Sequence, residues 1–164
     1  MTLFAQPAGE SAQLCDISNL LIQKWPAPEF QITACLHLEQ LAEGDVAGMV
    51  SLGGCYTALA VAKRNGKLVL QQRTGNWTKD DEVRTDLETV ESDLLYVRMK
   101  VKHSTDISFE IGADEKSFRP VGSAVQATPG RWVGVKAGLF AINEKGAPGG
   151  ALKAEYFVFE ALEN

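Results

Sequence analysis

Hydrophobic and polar residues alternate along much of the chain, which is the pattern of half-buried β-strands. In the clearest example, Ile32, Ala34, Leu36 and Leu38 occupy every second position. Successive side chains of a strand point to opposite faces, so these four predict one buried face. The same period returns over residues 95–101 and 107–111, and no stretch shows a convincing helical period. The pattern therefore predicts an all-β protein.

Turn signals divide this pattern into about ten strands, a number and spacing typical of an antiparallel sandwich or barrel. The strongest signal is Asn65-Gly66, because both residues tolerate the positive φ angles of a type I′ turn. It predicts that residues 56–63 and 68–73 pair antiparallel. A second hairpin is predicted around residues 112–116. The apolar run 46–52 predicts a central strand.

Residues 129–142 contain dense core candidates, including Trp132 and Phe140. Gly134 and Gly138 stand four positions apart, so in an extended strand both lie on one face. Backbone without side chains lets another layer or a ligand approach closely. We expect close packing of a neighbouring layer there.

The chain of 164 residues predicts one main domain. Residues 1–15, small and polar with Pro7 and Gly9, are predicted to form an N-terminal arm or linker. Residues 16–164 are predicted to form a single β-sandwich domain. Residues 74–93 are rich in carboxylates and predict a long loop with room for one weak strand.

Net charge and cysteine content reduce the number of plausible partners and sites. Sixteen basic and 21 acidic residues leave a net charge of −5, which disfavours nucleic acid and anionic membranes as partners. No apolar run reaches the roughly 20 residues of a membrane span. Cys15, Cys35 and Cys55 lack the spacing of a zinc site, and we expect buried free thiols.

Catalytic signatures are weak. His37 and His103 lie in no nucleophile motif, so both are interpreted as surface histidines. Asp80-Asp81-Glu82 offers a structural calcium site as an alternative, but it lacks the spaced ligand pattern, and a solvated acidic loop is favoured. We assign no catalytic residue, no metal ligand and no cofactor.

Trp77 is the first candidate for carbohydrate binding, because an aromatic ring on a polar loop can stack on a sugar. Tyr56 and Trp25 are weaker candidates of the same kind. Packing over the end of a sheet is the alternative role for Trp77.

Several segments, in order, resemble the C-terminal domain of bacterial family 43 glycoside hydrolases, the β-xylosidases and α-L-arabinofuranosidases. Residues 19–30 read NLLIQKWPAPEF, close to the family's Asn-Leu-Leu-Leu-Gln-Lys-Phe-Pro-Ala-Pro-x-Phe. Residues 130–140 read GRWVGVKAGLF, close to its Gly-Arg-Trp-Ile-Gly-Ala-Lys-Val-Gly-Leu-Phe strand. Further matches are DVAGMV at 45–50, YTAL at 56–59 and FEIGADEKSFRPVG at 109–122. The family's final Ala-Asp-Phe-Asp-Trp-Phe strand reads LKAEYF at 152–157.

The resemblance implies a concanavalin A-like jelly-roll β-sandwich. In the family this domain packs on a catalytic five-bladed β-propeller, which holds the catalytic carboxylates. The resemblance therefore implies a non-catalytic accessory domain in xylan or arabinan degradation, able to shape the propeller's substrate pocket. The parent protein would be the glycosidase, and its compartment either the cytoplasm or, after export, the periplasm or the extracellular space. A self-standing lectin-like module that binds plant-polysaccharide oligosaccharides is the alternative.

Overall fold

The computed structural model describes residues 1–77, 81–130 and 134–162, and every regular element in these ranges is a β-strand. The strands are β1 (Thr2–Phe4), β2 (Gln6–Pro7), β3 (Leu20–Lys24), β4 (Phe30–His37), β5 (Asp45–Leu52), β6 (Cys55–Arg64), β7 (Lys67–Asn76), β8 (Val83–Val90), β9 (Leu94–Lys102), β10 (Asp106–Gly112), β11 (Phe118–Gln126), β12 (Lys136–Asn143) and β13 (Ala151–Ala161). Within these ranges, no helix is long and apolar enough to cross a membrane.

The strands form two sheets. The six-stranded sheet has the order β1-β13-β4-β9-β10-β11, and the seven-stranded sheet has the order β2-β12-β5-β6-β7-β8 with β3 also paired to β12. All described pairings are antiparallel except the short parallel contact of β2 with β12. The predicted all-β antiparallel sandwich is confirmed.

The main core lies between the sheets and follows the alternation in the sequence. Ile32, Ala34 and Leu36 of β4 point inward and are fully buried. Met49 and Leu59 face them from the seven-stranded sheet. β5 is buried along its whole length, as predicted for a central strand.

The predicted hairpin turn is confirmed. Asn65 and Gly66 have φ angles of 51° and 72°, and Arg64 pairs with Lys67 across the turn. The second predicted hairpin is also present, since β10 and β11 pair with Gly112 opposite Phe118.

The N-terminal residues belong to the sandwich, unlike the predicted arm or linker. β1 pairs with β13 of one sheet, and β2 pairs with β12 of the other. Residues 8–22 then cover the outer face of the seven-stranded sheet, where Leu14 is fully buried against a second apolar cluster. The sequence did not predict this covering role, because a segment of irregular backbone has no periodic pattern of hydrophobic residues. Backbone hydrogen bonds hold the segment in place, for example from Ala8 N to Asn143 O at 2.9 Å.

The two glycines differ from each other. A Cβ on Gly138 would lie 1.9 Å from the carbonyl oxygen of Leu21, so the backbone is approached closely there, but by the paired strand β3 of the same sheet rather than by the neighbouring layer that we expected. Gly134 precedes β12, has a φ of 69° and has open space around it. The prediction of one continuous glycine face was therefore wrong, because the strand begins only at Lys136. Trp132 lies outside the described residues.

Candidate functional site

The three aromatic candidates for carbohydrate binding lie in different environments. Trp77 follows the end of β7, and its side chain is 47% exposed. Trp25 packs edge-on against Phe30 with ring centroids 5.4 Å apart, and its Nε1 has no hydrogen-bond partner among the described residues. Tyr56 is buried beneath the N-terminal segment. Only Trp77 offers a substantial ring surface to solvent.

Tyr56 belongs to a buried polar network on the outer face of the seven-stranded sheet. Its hydroxyl donates to Glu82 Oε2 at 3.0 Å, and the same oxygen accepts from the backbone N–H of Leu14 at 2.7 Å. Burial, followed by the negative charge of Glu82, raises the pKa of Tyr56 far above its usual range. Tyr56 therefore stays a neutral hydrogen-bond donor that ties the sheet to its N-terminal cover.

Arg73 is the centre of this network and is fully buried. Its guanidinium donates to Glu144 at 2.8 Å, to Gln71 at 2.8 Å and to Glu82 at 3.4 Å. Burial lowers the pKa of Arg73, while Glu144 opposes that shift. Sequence reasoning missed this role because arginine at the end of a strand usually reaches solvent.

Arg84 connects the network to the N-terminal segment. It donates to the carbonyl oxygens of Glu10 at 3.0 Å and Ala12 at 2.8 Å. It also pairs with Glu82 and Glu144, each at 2.8 Å. The outer face of the seven-stranded sheet is thus covered by the N-terminal segment, which hydrogen bonds from Arg84 hold in place.

The acidic segment differs from the solvated loop we favoured. The side chain of Glu82 is 3% exposed, and its oxygens accept from protein donors. Asp81 accepts from the backbone and side-chain N–H groups of Asn76 at 3.2 and 2.9 Å. Asp80 lies outside the described residues. The donors on Glu82 occupy oxygens that a calcium ion would need.

The predicted free thiols are confirmed, with Cys35 buried and Cys15 and Cys55 partly exposed. Each histidine faces a carboxylate. His37 Nε2 lies 3.1 Å from Glu155, and His103 Nδ1 lies 3.0 Å from Asp106. The side chain of His103 is 78% exposed, as predicted for a surface histidine. The side chain of His37 is only 25% exposed, less than its position on the polar face of a strand predicted.

A cleft opens at the edge of the sandwich between β3 and β13. Its volume is about 410 Å³, and we call it the edge cleft. Leu21 on its rim is 53% exposed and Met1 is 49% exposed. Its other apolar lining residues are Ile22, Ala137, Leu139, Ala154 and Phe157. Such exposure of large apolar side chains at one place is typical of a surface that contacts a partner.

The two packed sheets and the match to a family model define this protein as a concanavalin A-like β-sandwich domain. The chain belongs to the family described as the beta xylosidase C-terminal concanavalin A-like domain, whose model matches residues 1–160. The family prediction made from the sequence is therefore confirmed. The comparison with curated proteins gave no match.

Solved structures with this fold include much longer glycoside hydrolases. A GH43 enzyme engineered to display both endo-xylanase and exo-arabinofuranosidase activity is 16% identical, with a TM-score of 0.85 over 99% of this chain and 34% of its own. A bifunctional GH43-CE protein of Bacteroides eggerthii is 18% identical, with a TM-score of 0.82 over 99% of this chain and 21% of its own. A xylan beta-1,4-xylosidase of Bacillus halodurans is 17% identical, with a TM-score of 0.75 over 97% and 32%. The chain thus spans about a third or less of these relatives.

Proposed function

We propose that this chain is a non-catalytic accessory domain that packs on the catalytic β-propeller of a family 43 glycoside hydrolase and helps to shape its substrate pocket. The edge cleft is the observation that carries the proposal. Two large apolar side chains, Leu21 and Met1, are exposed there beside partly buried Phe157. Burying such a surface against another domain removes apolar area from water.

The relatives give the proposal its chemical context. In the solved family 43 chains, a domain like this one occupies 21% to 34% of the length. One of these relatives displays endo-xylanase and exo-arabinofuranosidase activity, and another is a xylan beta-1,4-xylosidase. We therefore propose xylan or arabinan breakdown as the process that the chain serves, with the catalytic groups supplied by the partner domain.

The test is a reconstitution with family 43 catalytic domains from the same organism. The chain is mixed with each purified domain, complex formation is measured by sedimentation, and hydrolysis of aryl xylosides and aryl arabinofuranosides is followed. We expect a complex with one of these domains and a change in its hydrolysis rate. Leu21→Asp should weaken the complex at least tenfold, because it places a charge in the edge cleft.

Val83→Asp is the matched control. Val83 is 58% exposed, similar to Leu21, but it lies on β8 at the opposite edge of the seven-stranded sheet. It should leave the complex unchanged. Absence of a complex with every such domain, or equal effects of the two substitutions, would contradict the proposal.

A second candidate function is carbohydrate binding by an independent module, and the exposure of Trp77 favours it. A ring that is 47% exposed retains a face for stacking on a pyranose or furanose. Isothermal titration with xylo- and arabino-oligosaccharides at millimolar concentration tests this role. Saturable heat that is lost in Trp77→Ala but kept in the buried-ring variant Tyr56→Phe would assign the site to Trp77. No heat with any sugar would remove this candidate.

A further inference from the structure

Three side chains of different metal-binding chemistry meet on the outer face of the six-stranded sheet. Cys35 and His37 are two positions apart on β4, so both point to that face. Glu155 reaches them from the neighbouring β13. Its Oε2 accepts from Cys35 Sγ at 3.8 Å and lies 3.1 Å from His37 Nε2.

Glu155 lies at a β-bulge of β13. Leu36 pairs with Ala154 and Cys35 pairs with Tyr156, so Glu155 is the extra residue of the bulge. A bulge breaks the alternation of side chains and re-aims one of them. In regular alternation Glu155 already follows the inward-facing Ala154 on the outer side of the strand, and the bulge brings Tyr156 to that side as well, opposite Cys35. The pairing of β13 with β4 therefore places Glu155 beside Cys35 and His37.

The spacing of the donor atoms fits one small cation. One ligand atom from each of Cys35, His37 and Glu155 lies within 4.8 Å of the others. A tetrahedral zinc ion, with Zn–S of about 2.3 Å and Zn–N of about 2.0–2.1 Å, separates its ligand atoms by about 3.3–3.8 Å. The separations of 3.1 and 3.8 Å from Glu155 need shifts of only a few tenths of an ångström.

We propose that Cys35, His37 and Glu155 form a binding site for one zinc-class divalent cation, with water as the fourth ligand. Thiolate, imidazole and carboxylate are the usual zinc donors, and three protein ligands with an open position are a common arrangement. The side chains of His37 and Glu155 are 25% and 62% exposed, so a cation and its water have access from solvent.

Binding also has a defined proton balance. A cysteine thiol is largely protonated near pH 7, and only its thiolate form binds a metal. The S–H bond then breaks, its proton passes to water, and the sulfur lone pair forms the S–metal bond. The neutral His37 ring binds through Nε2, while the Glu39 carboxylate 3.8 Å from Nδ1 favours a proton on that nitrogen.

The surrounding charge favours a cation. The Glu39 carboxylate, just beyond the end of β4, lies 3.8 Å from His37 Nδ1. The Glu115 carboxylate accepts a hydrogen bond from Tyr156, which follows Glu155 in sequence. Lys153, opposite His37 on β13, adds one positive charge. Sequence reasoning missed the site because Cys35 and His37 lack a recognised zinc spacing and the third ligand lies 118 positions beyond His37.

Titration of the metal-free chain with Co²⁺ tests the site, since a thiolate bound to cobalt adds a charge-transfer band in the near ultraviolet. We expect one equivalent of cobalt to saturate the band, Zn²⁺ to displace it, and about one proton to be released. Cys35→Ser should abolish the band. Glu155→Gln, an isosteric change at an exposed side chain, should weaken binding at least tenfold without altering the circular dichroism.

Cys55→Ser is the matched control, because Cys55 is also a free thiol but lies on β6 of the other sheet and donates to the carbonyl oxygen of Gln126. It should leave the band and the affinity unchanged. No saturable band would overturn the proposal and leave a hydrogen-bonded triad. A band that persists in Cys35→Ser, or an unchanged affinity in Glu155→Gln, would overturn it equally.

Discussion

Arg73 has a structural role inside the protein that is unusual for an arginine side chain. Its side chain is 0% exposed and donates to Gln71, Glu82 and Glu144. Charges are almost never buried unless they are paired, so these partners are a condition of the fold. The Asn65-Gly66 turn correctly predicted a strand here, but only the approach of Glu144 from a distant part of the chain made a charged residue acceptable inside.

Replacing Arg73 by methionine should destabilise the protein by about 1.5–3 kcal/mol, because Glu144 and Glu82 would lose their charge-assisted hydrogen bonds from Arg73 and keep only those from Arg84. Urea unfolding measured by tryptophan fluorescence gives the free energy of unfolding for comparison. Arg119→Ala serves as the control, since the ion pair of Arg119 with Glu88 is largely exposed. Its loss should cost about 0–1 kcal/mol. Equal costs for the two variants would contradict a structural role of the network.

Asp114 gives a prediction about pH. Its Oδ1 accepts from the backbone N–H groups of Lys116 at 2.8 Å and Ser117 at 2.7 Å, and these hydrogen bonds lower its pKa below the usual 3.8. A lowered folded-state pKa adds stability that is fully present above the unfolded-state value and is lost as the pH falls through the folded-state value. The stability advantage of the wild type over Asp114→Ala should therefore be constant near neutrality and shrink below about pH 4.

Asp114→Asn is the companion variant, because an amide oxygen can still accept both hydrogen bonds without a charge. Its stability difference from Asp114→Ala should not change with pH. The measurement is thermal unfolding between neutral and strongly acidic pH. An advantage of the wild type that grew on acidification would contradict the assignment.

At the scale of elements, hairpins were predictable and strand boundaries were not. Asn65-Gly66 specifies its turn locally, since its left-handed backbone needs only those two residues. β12 illustrates the opposite case. Its beginning at Lys136 is decided by pairing with Leu52 and Lys24 on two other strands, which no local pattern reveals.

Gly138→Ala should detach β3 from β12. The added Cβ would lie 1.9 Å from Leu21 O, and backbone cannot move aside as a flexible side chain can. We expect hydrogen exchange at the amides of residues 20–24 to accelerate at least tenfold, while β5 on the other side of β12 stays protected. The edge cleft, whose rim includes Leu21, should be altered as well.

Gly66→Asn provides a comparison in which the surroundings are open, because no atom lies within 4 Å of a Cβ on Gly66. Asparagine also tolerates positive φ. Exchange at β3 should then match the wild type. Unchanged exchange at β3 in Gly138→Ala would show that close packing does not select glycine at this position.

For the whole molecule, the decisive feature is that the N-terminal segment covers a face of the sandwich. Leu14 is fully buried in the apolar cluster on the outer face of the seven-stranded sheet, together with Tyr56 and Phe140. A flexible arm would leave that cluster in water. The cover also explains why the wide outer face is not a ready sugar-binding surface and directs attention to Trp77 and the edge cleft.

Leu14→Ala should therefore lower the free energy of unfolding by about 2–5 kcal/mol, the range for a buried leucine that leaves a cavity. Leu21→Ala is the control, because this leucine is 53% exposed and its truncation should cost well under 1 kcal/mol. Chemical denaturation of both variants gives the comparison. A neutral Leu14→Ala would restore the picture of a loosely attached arm.

The sequence by itself determined the all-β class, the inward alternation of residues such as Ile32 and Leu36, the Asn65-Gly66 turn and the family. The family follows from the resemblance of ordered segments, and the other features follow from period-two burial and local backbone preferences, which neighbouring residues are sufficient to encode. The tertiary structure alone decided the burial of Arg73, the covering role of residues 8–22, the edge cleft and the meeting of Cys35 with Glu155. Each of these depends on contacts between segments far apart in the chain, and the physical reason is that burial and charge pairing are set by the partner that folding brings near.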